Sequence, residues 1–340
     1  MTRALLPTLA FLPALSFLPA SAIFPASAIA QVNVINIPQN NTWANVQTRP
    51  GIHAYKVQGN VWIIPIAGAN IAMQTGPEGV ILVDTGAAGQ TDEVLAAIRE
   101  VTTGPIRYII NTSISPDRIG GNEKMTALAG GSTDGKGKGP TPNTLAQDNV
   151  LRRMSTPGPN GAAPWPTLAW PTDGYINERR ALHFNGEVVE ILHQPNAHSD
   201  GDSLVYFRSS DVLVSGDLFT TTNFPLIDAK LGGTYQGMLD ALNKMVDIAV
   251  PEVLEEGGTM IISGRGRICD QADLVEYRDM VTEFGQRMRN LVGKQHMTLE
   301  QVKARRPLLG WEKRYSAPEM TTDALVEELY REFSAPSAQK

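Results

Sequence analysis

The stretch "NTSISPDRIGGNEKM", residues 111–125, has the outline of a metal-binding loop, yet Ser and Arg stand at most positions where ligating side chains would be expected. It continues "IRYIINTS" (106–113), an apolar, β-branched run that reads as a buried strand. Upstream, "HAYKVQ", "NVWIIPIA", "ANIAMQT" and "GVILVDTG" are short β-rich segments separated by Gly, Asn and Pro turn signals. The last ends in Asp84-Thr85-Gly86 and feeds "QTDEVLAAIREV", whose Val94, Leu95, Ile98 and Val101 recur at helical spacing. The first half is therefore expected to be a meander followed by strand, helix and strand.

The second half repeats that grammar. "EVVEILHQ", "DSLVYFRSS", "DVLVSGDLF" and "GTMIISGRG" read as strands, and "TYQGMLDALNKMVDIAV" and "ADLVEYRDMVTEFGQRMRNLV" as helices. Two sheets packed face to face, with helices on their outer faces, make the expected α/β architecture. "AGGSTDGKGKGPTP" (129–142) lacks the spacing of a phosphate loop and reads as a flexible surface loop. The proline-rich stretch 155–174 carries Trp165 and Trp170, which either cover a pocket or pack against the body. "MTLEQVKARRPLLG" and "TTDALVEELYREF" look like amphipathic closing helices.

Composition narrows the partners. The chain has 340 residues, a formal charge of -6 and no concentrated Lys/Arg block, which argues against a nucleic-acid surface and for a small-molecule substrate or ligand. Residues 1–30 run from one positive charge at Arg3 through an apolar stretch to Ala28-Ile29-Ala30, the order of a secretory signal peptide cut after Ala30. A membrane anchor is the other option, but Pro7, Pro13, Pro19 and Pro25 disfavour a spanning helix. A periplasmic or secreted protein, with no membrane partner after cleavage, is the expectation. Cys269 is the single cysteine, so no internal disulfide can form, and it reads as a small packed residue. Oligomeric state is not legible.

The unusual polar residues gather just after predicted strands: Asp84; then Ser113, Ser115, Asp117 and Arg118; then His198, Asp217 and Arg265. These positions resemble the motifs of the metallo-β-lactamase superfamily. That family's Thr-His-x-His-x-Asp-His motif followed by Gly-Gly-Asn is matched in register by "TSISPDRIGGN". Its later motifs line up with "AHSDGDS", "SGDLF" and "SGRG". The resemblance spans roughly residues 50–290 and implies a four-layer αβ/βα sandwich with its site at one sheet edge. It divides the chain into signal peptide (1–30), N-terminal arm (31–50), metallo-β-lactamase-like domain (51–295) and C-terminal helical extension (296–340).

The family implies zinc. Carried over, one metal site falls on Ser113, Ser115 and His198, and the other on Asp117, Arg118, Asp217 and Arg265, with Asp84 bracing the site through hydrogen bonds. A hydroxyl is a poor zinc ligand beside imidazole, and arginine has no lone pair to give. In "GGNEKM", "SGDLFTTTNFPLIDAKLGGTYQGMLDALNKMVDIAVPE" and "RICDQADLVEYRDMV" the sequence also looks like the branch of secreted hydrolytic chlorothalonil dehalogenases, in which serines replace the first histidine pair and one zinc is kept. Against that branch the departures are Arg118 and Arg265.

Three functions follow. Asp117, His198 and Asp217 could hold a metal that activates water. Ser113 or Ser115 could be a nucleophile with His198 as base, an Asp orienting it, and Arg118 or Arg265 stabilising an oxyanion. The third is a non-catalytic protein that binds a small anionic or aromatic ligand in an arginine-lined cleft roofed by the two tryptophans. If hydrolytic, the expected substrate is a small ester, lactam or haloaromatic. His193 sits on a strand end near His198, with a structural role expected.

Overall fold

The structure, a computed structural model, describes residues 51–129, 141–157, 161, 163–254 and 257–335. The expected signal peptide and N-terminal arm, and most of the glycine-rich loop, lie outside the described residues.

Strands β1 (Tyr55–Gln58), β2 (Val61–Ile66), β3 (Ala69–Gly76) and β4 (Gly79–Val83) form the expected antiparallel meander. Helix α1 (Thr91–Val101) leads to β5 (Ile106–Ile110), which lies parallel to β4. The short helices α2 (Pro116–Ile119) and α3 (Asn122–Ala129) precede β6 (Asn143–Gln147), α4 (Asp148–Ser155) and β7 (Asp173–Tyr175), which complete a seven-stranded sheet in chain order. The second sheet starts with β8 (Arg179–Phe184), β9 (Glu187–Gln194), β10 (Asp202–Phe207) and β11 (Val212–Val214). After α5 (Tyr235–Ile248) come β12 (Met260–Ile262), parallel to β11, and β13 (Ile268–Cys269), giving six strands. Helices α6 (Gln271–Arg289), α7 (Leu299–Ala304), α8 (Glu312–Tyr315) and α9 (Thr322–Ser334) follow.

Alternation along the strands sets the layers. Successive strand residues point to opposite faces, and in both sheets each face meets a partner. Ile81 and Val83 of β4 lie between the sheets with Val189, Val205 and Val214, while Val80 and Leu82 pack on Val94 and Ile98 of α1. In the other sheet Leu204, Leu213 and Ile261 face outward into Leu242 of α5, Val281 of α6 and Leu325 of α9. Burial on both faces explains the unbroken apolar run of "GVILV", since each buried aliphatic is worth about 1.5–3 kcal/mol. The helix–sheet–sheet–helix order is the αβ/βα sandwich.

Strand direction then places the site. β4 and β5 end at the same edge of the first sheet; β9, β11 and β12 share a direction in the second. The loops after them carry Asp84, residues 113–118, His198, Asp217 and Arg265.

Candidate active site

Two loops are pulled together by glycine and by Asp84. Asp84 sits in the left-handed region at φ 66° and accepts bonds from Thr112 N (2.8 Å) and Thr112 Oγ1 (2.7 Å), fixing the start of the 112–118 loop. Burial pushes its carboxyl up to about 7, against the pull of the Arg118 guanidinium 3.7 Å away. Gly216 takes φ 55°, and a Cβ there would lie 2.6 Å from Thr112 Oγ1. Only glycine lets the Asp217 loop come this close to Ser113.

Asp217 is the hub. Its Oδ1 accepts from Arg118 Nε (3.1 Å), Arg118 Nη2 (2.9 Å) and Arg265 Nη1 (3.1 Å). Its Oδ2 accepts from Ser113 Oγ and Ser115 Oγ, both at 2.7 Å. Burial alone would raise this carboxyl's pKa, but Arg118, His198 and Arg265 hold it well below the usual range. Arg118 is itself 0% exposed and gives its other hydrogens to Asn70 O (3.3 Å) and Gly264 O (3.1 Å). Burial works against the guanidinium's proton; Asp217, Asp84 and Asp117 outweigh it and raise the pKa. Arg265 bridges outward, pairing with Asp117 through Nη2, while its buried Nε has no hydrogen-bond partner.

His198 completes the cluster. Its Nδ1 is 3.0 Å from Leu226 O, so Nδ1 carries hydrogen and donates. Its Nε2 is 3.2 Å from Ser115 Oγ and 3.8 Å from Asp217 Oδ2. Ser115 has one proton, drawn toward Asp217 by the shorter bond, so its lone pair faces Nε2 and that nitrogen also donates. This arrangement favours hydrogen on both ring nitrogens, the imidazolium form. Burial disfavours that charge, but Asp217, Asp202 and the Leu226 carbonyl raise the pKa above its ordinary value. Asp202, held by Ser199 N and Oγ, is pushed by burial up to about 7.

The sequence-predicted residues are thus divided. Ser113, Ser115, His198, Asp217, Arg118 and Arg265 share one network; Asp117 stands at its outer side against Arg265 rather than orienting His198, whose Nδ1 faces a backbone carbonyl. The expected metal triad of Asp117, His198 and Asp217 is not drawn together around a common point. A carboxylate has about four lone-pair sites, and those of Asp217 face the donors above. The two guanidiniums would repel a cation, and among the described residues no group of three or more His, Cys, Asp or Glu side chains could hold a metal ion. The residues present do not fit zinc.

His198 opens on a cavity of about 350 Å³, whose walls are Leu226–Lys230 and, from the C-terminal segment, Glu319, Met320, Glu328 and Arg331. Trp165 and Trp170 do not line it. They pack with Ile114 and Ile119 behind the serine loop, and Trp170 Nε1 donates to Trp165 O (2.9 Å). His193 contacts Asp200 O (3.0 Å) away from the hub, and Cys269 is buried, its thiol pushed up by burial. Sequence reasoning missed Asn70, Thr112 and the Leu226 carbonyl. Asn70 left one signal, an amide at the start of an apolar strand, and it ties β3 to Ser263 O (2.7 Å).

Residues 64–253, more than half of the chain, match the metallo-beta-lactamase superfamily. The chain belongs to that superfamily. Among solved structures it is similar to the stereoselective inverting sec-alkylsulfatase Pisa1 from Pseudomonas sp., at 15% identity and a TM-score of 0.60, covering 83% of this chain and 50% of that one. A double mutant of that sulfatase gives 14% identity, a TM-score of 0.61 and the same coverage. A metallo-beta-lactamase from Pontibacter korlensis gives 16% identity and a TM-score of 0.50, covering 68% of this chain and 99% of that one. The chain spans about half the length of the alkylsulfatase structures, and these likenesses bear on the fold. No curated protein matches the sequence. As a superfamily member the chain has a hydrolase-type fold.

Proposed function

We propose that this chain is a metal-independent, ligand-binding member of the superfamily, periplasmic or secreted, in which Arg118 and Arg265 take the electrostatic place of a metal ion. The observation that carries this is Asp217, whose two oxygens receive five hydrogen bonds, three of them from the two guanidiniums. Two fixed monocations neutralise Asp217 and Asp117 as a dication would, but they have no open coordination position for water. Ser115 is not activated in this state: its proton is given to a carboxylate too acidic to act as base, and His198 already carries its own. The cleft beside His198 is left as a place for a small molecule. Thermal unfolding with added zinc and with chelator tests the proposal; the two midpoints are expected to coincide, and a zinc-dependent rise of several degrees would defeat it.

A second reading is supported by the 3.2 Å approach of Ser115 Oγ to His198 Nε2. Once His198 loses its proton, this pair could act as nucleophile and base on an ester, lactam or, following the likeness to chlorothalonil dehalogenases, a haloaromatic. Covalent labelling of Ser115 by a fluorophosphonate, read by peptide mass spectrometry, would favour it over simple binding.

A further inference from the structure

We infer that Asn70 is the positioning residue that holds the two guanidiniums at a fixed spacing around Asp217. The inference rests on the metal-free reading of the site and names what keeps that site in order. A metal ion imposes geometry on its ligands, whereas arginine side chains are long and flexible, so cations that take a metal's place need a support of their own. β3 runs antiparallel to β4, so its first residues lie at the site edge. There Asn70, 4% exposed, donates both hydrogens of its side-chain amide across to the second sheet, to Ser263 O (2.7 Å) and Gly266 O (3.0 Å), which flank Gly264 and Arg265. Its backbone N–H donates to Gly264 O (2.9 Å). Its own carbonyl accepts from Arg118 Nη1 (3.3 Å), and Gly264 O accepts from Arg118 Nη2 (3.1 Å). One residue thereby fixes the loop that carries Arg265 and two carbonyls that orient Arg118.

The anchored loop is packed directly on the rest of the cluster. A Cβ at Gly264 would lie 1.8 Å from Gly216 O and 2.7 Å from Arg118 Nη2, so the backbone there abuts both the Asp217 loop and Arg118. Any displacement of it changes the 3.1 Å contact between Arg265 Nη1 and Asp217 Oδ1. Gln74, further along the same strand, supplies the contrast. It too is buried and bridges the sheets, donating to Glu187 Oε1 (2.7 Å), but it does so away from the site edge. Removing either amide leaves polar partners unpaired in the interior. Only Asn70 touches the supports of the arginines.

Arg265 Nε is buried, so its hydrogen is shielded from solvent and reports on how firmly the side chain is held. Nitrogen-15 spectra of the arginine Nε–H groups, recorded with chelator present and with the Arg265 signal assigned by its absence from Arg265→Lys, measure its exchange with water. Asn70→Ala should speed that exchange on the order of tenfold, and Gln74→Ala should leave it within about twofold of the natural chain. Asn70→Ser, which keeps one donor, should fall between them, and it carries the comparison if Asn70→Ala does not fold. Exchange that is unchanged in the Asn70 variants, or accelerated equally by Gln74→Ala, would overturn the assignment while leaving the metal-free site in place. Loss of the natural chain's Arg265 signal when zinc replaces the chelator would overturn both.

Discussion

Replacing Arg118 with methionine keeps much of the side chain's apolar volume but removes a guanidinium that is 0% exposed. Asp217 Oδ1 would lose two of its three donors, leaving only Arg265 Nη1. The carbonyls of Asn70 and Gly264 would lose their Arg118 bonds, and Asp84 its cation at 3.7 Å. Breaking a buried ion pair from one side costs about 3–5 kcal/mol, because the remaining charge stays buried. Total stability for a domain is about 5–15 kcal/mol. With a urea slope of about 3 kcal/mol/M, the loss corresponds to a drop of roughly 1–1.7 M in the unfolding midpoint. Equilibrium urea unfolding followed by far-UV circular dichroism measures it. The cause is checked by a double-mutant cycle: Arg118→Met with Asp217→Leu should lose less than the sum of the two single variants, with a coupling of at least about 1 kcal/mol. A single-variant loss below about 1 kcal/mol, or strict additivity, would refute the view that Arg118 and Asp217 form one buried unit.

Further expectations follow from the same network. The raised His198 pKa implies a stabilisation that is full below the unfolded value near 6.5 and lost as pH rises through the folded value; the Asp202 and Asp84 carboxyls, raised to about 7, add losses of the same sign between about pH 4 and 7. Urea midpoints should therefore fall from pH 5 to pH 8, less steeply in His198→Gln; a midpoint rising over that range would contradict the proton assignment. Nitrogen-15 shifts of the His198 ring at pH 6.5 should report hydrogen on both nitrogens. Arg265→Ala, at a side chain 13% exposed and paired outward with Asp117, should destabilise less than Arg118→Met, by about 1–2 kcal/mol in the same urea assay. Arg118→His combined with Arg265→His should gain zinc, measured by calorimetric titration, whereas either single replacement should not.

The layers were legible because burial on both strand faces writes itself as an unbroken apolar run, as in "GVILV". Other elements were hidden by composition. β6 is "NTLAQ" and β8 is "RRALHF", whose polar residues interrupt the apolar signal, and α4 "DNVLRRMS" buries only Val150 and Met154. The gathering of Ser113, Ser115, His198, Asp217 and the two arginines could be anticipated because strand ends at one edge share a location. Their roles could not: a hydrogen-bond network is closed by whichever backbone carbonyl is nearest, and sequence spacing does not reveal that Leu226 O, rather than a carboxylate, faces His198. For the same reason Asp117 and Asp217 looked equivalent, although one is the buried hub and the other is 23% exposed at the rim. The tryptophans invited a roof over the site, but the cavity wall comes from the C-terminal segment instead.

Because Arg118 and Arg265 are proposed to stand where a metal would otherwise be needed, metal content is the most direct measurement. The chain is folded in the presence of zinc, desalted and analysed by elemental mass spectrometry alongside Arg118→His/Arg265→His. Less than about one-tenth of an equivalent in the natural chain, with uptake in the double variant, is the predicted result. About one equivalent of zinc in the natural chain would show that the arginines swing aside, and would contradict the account.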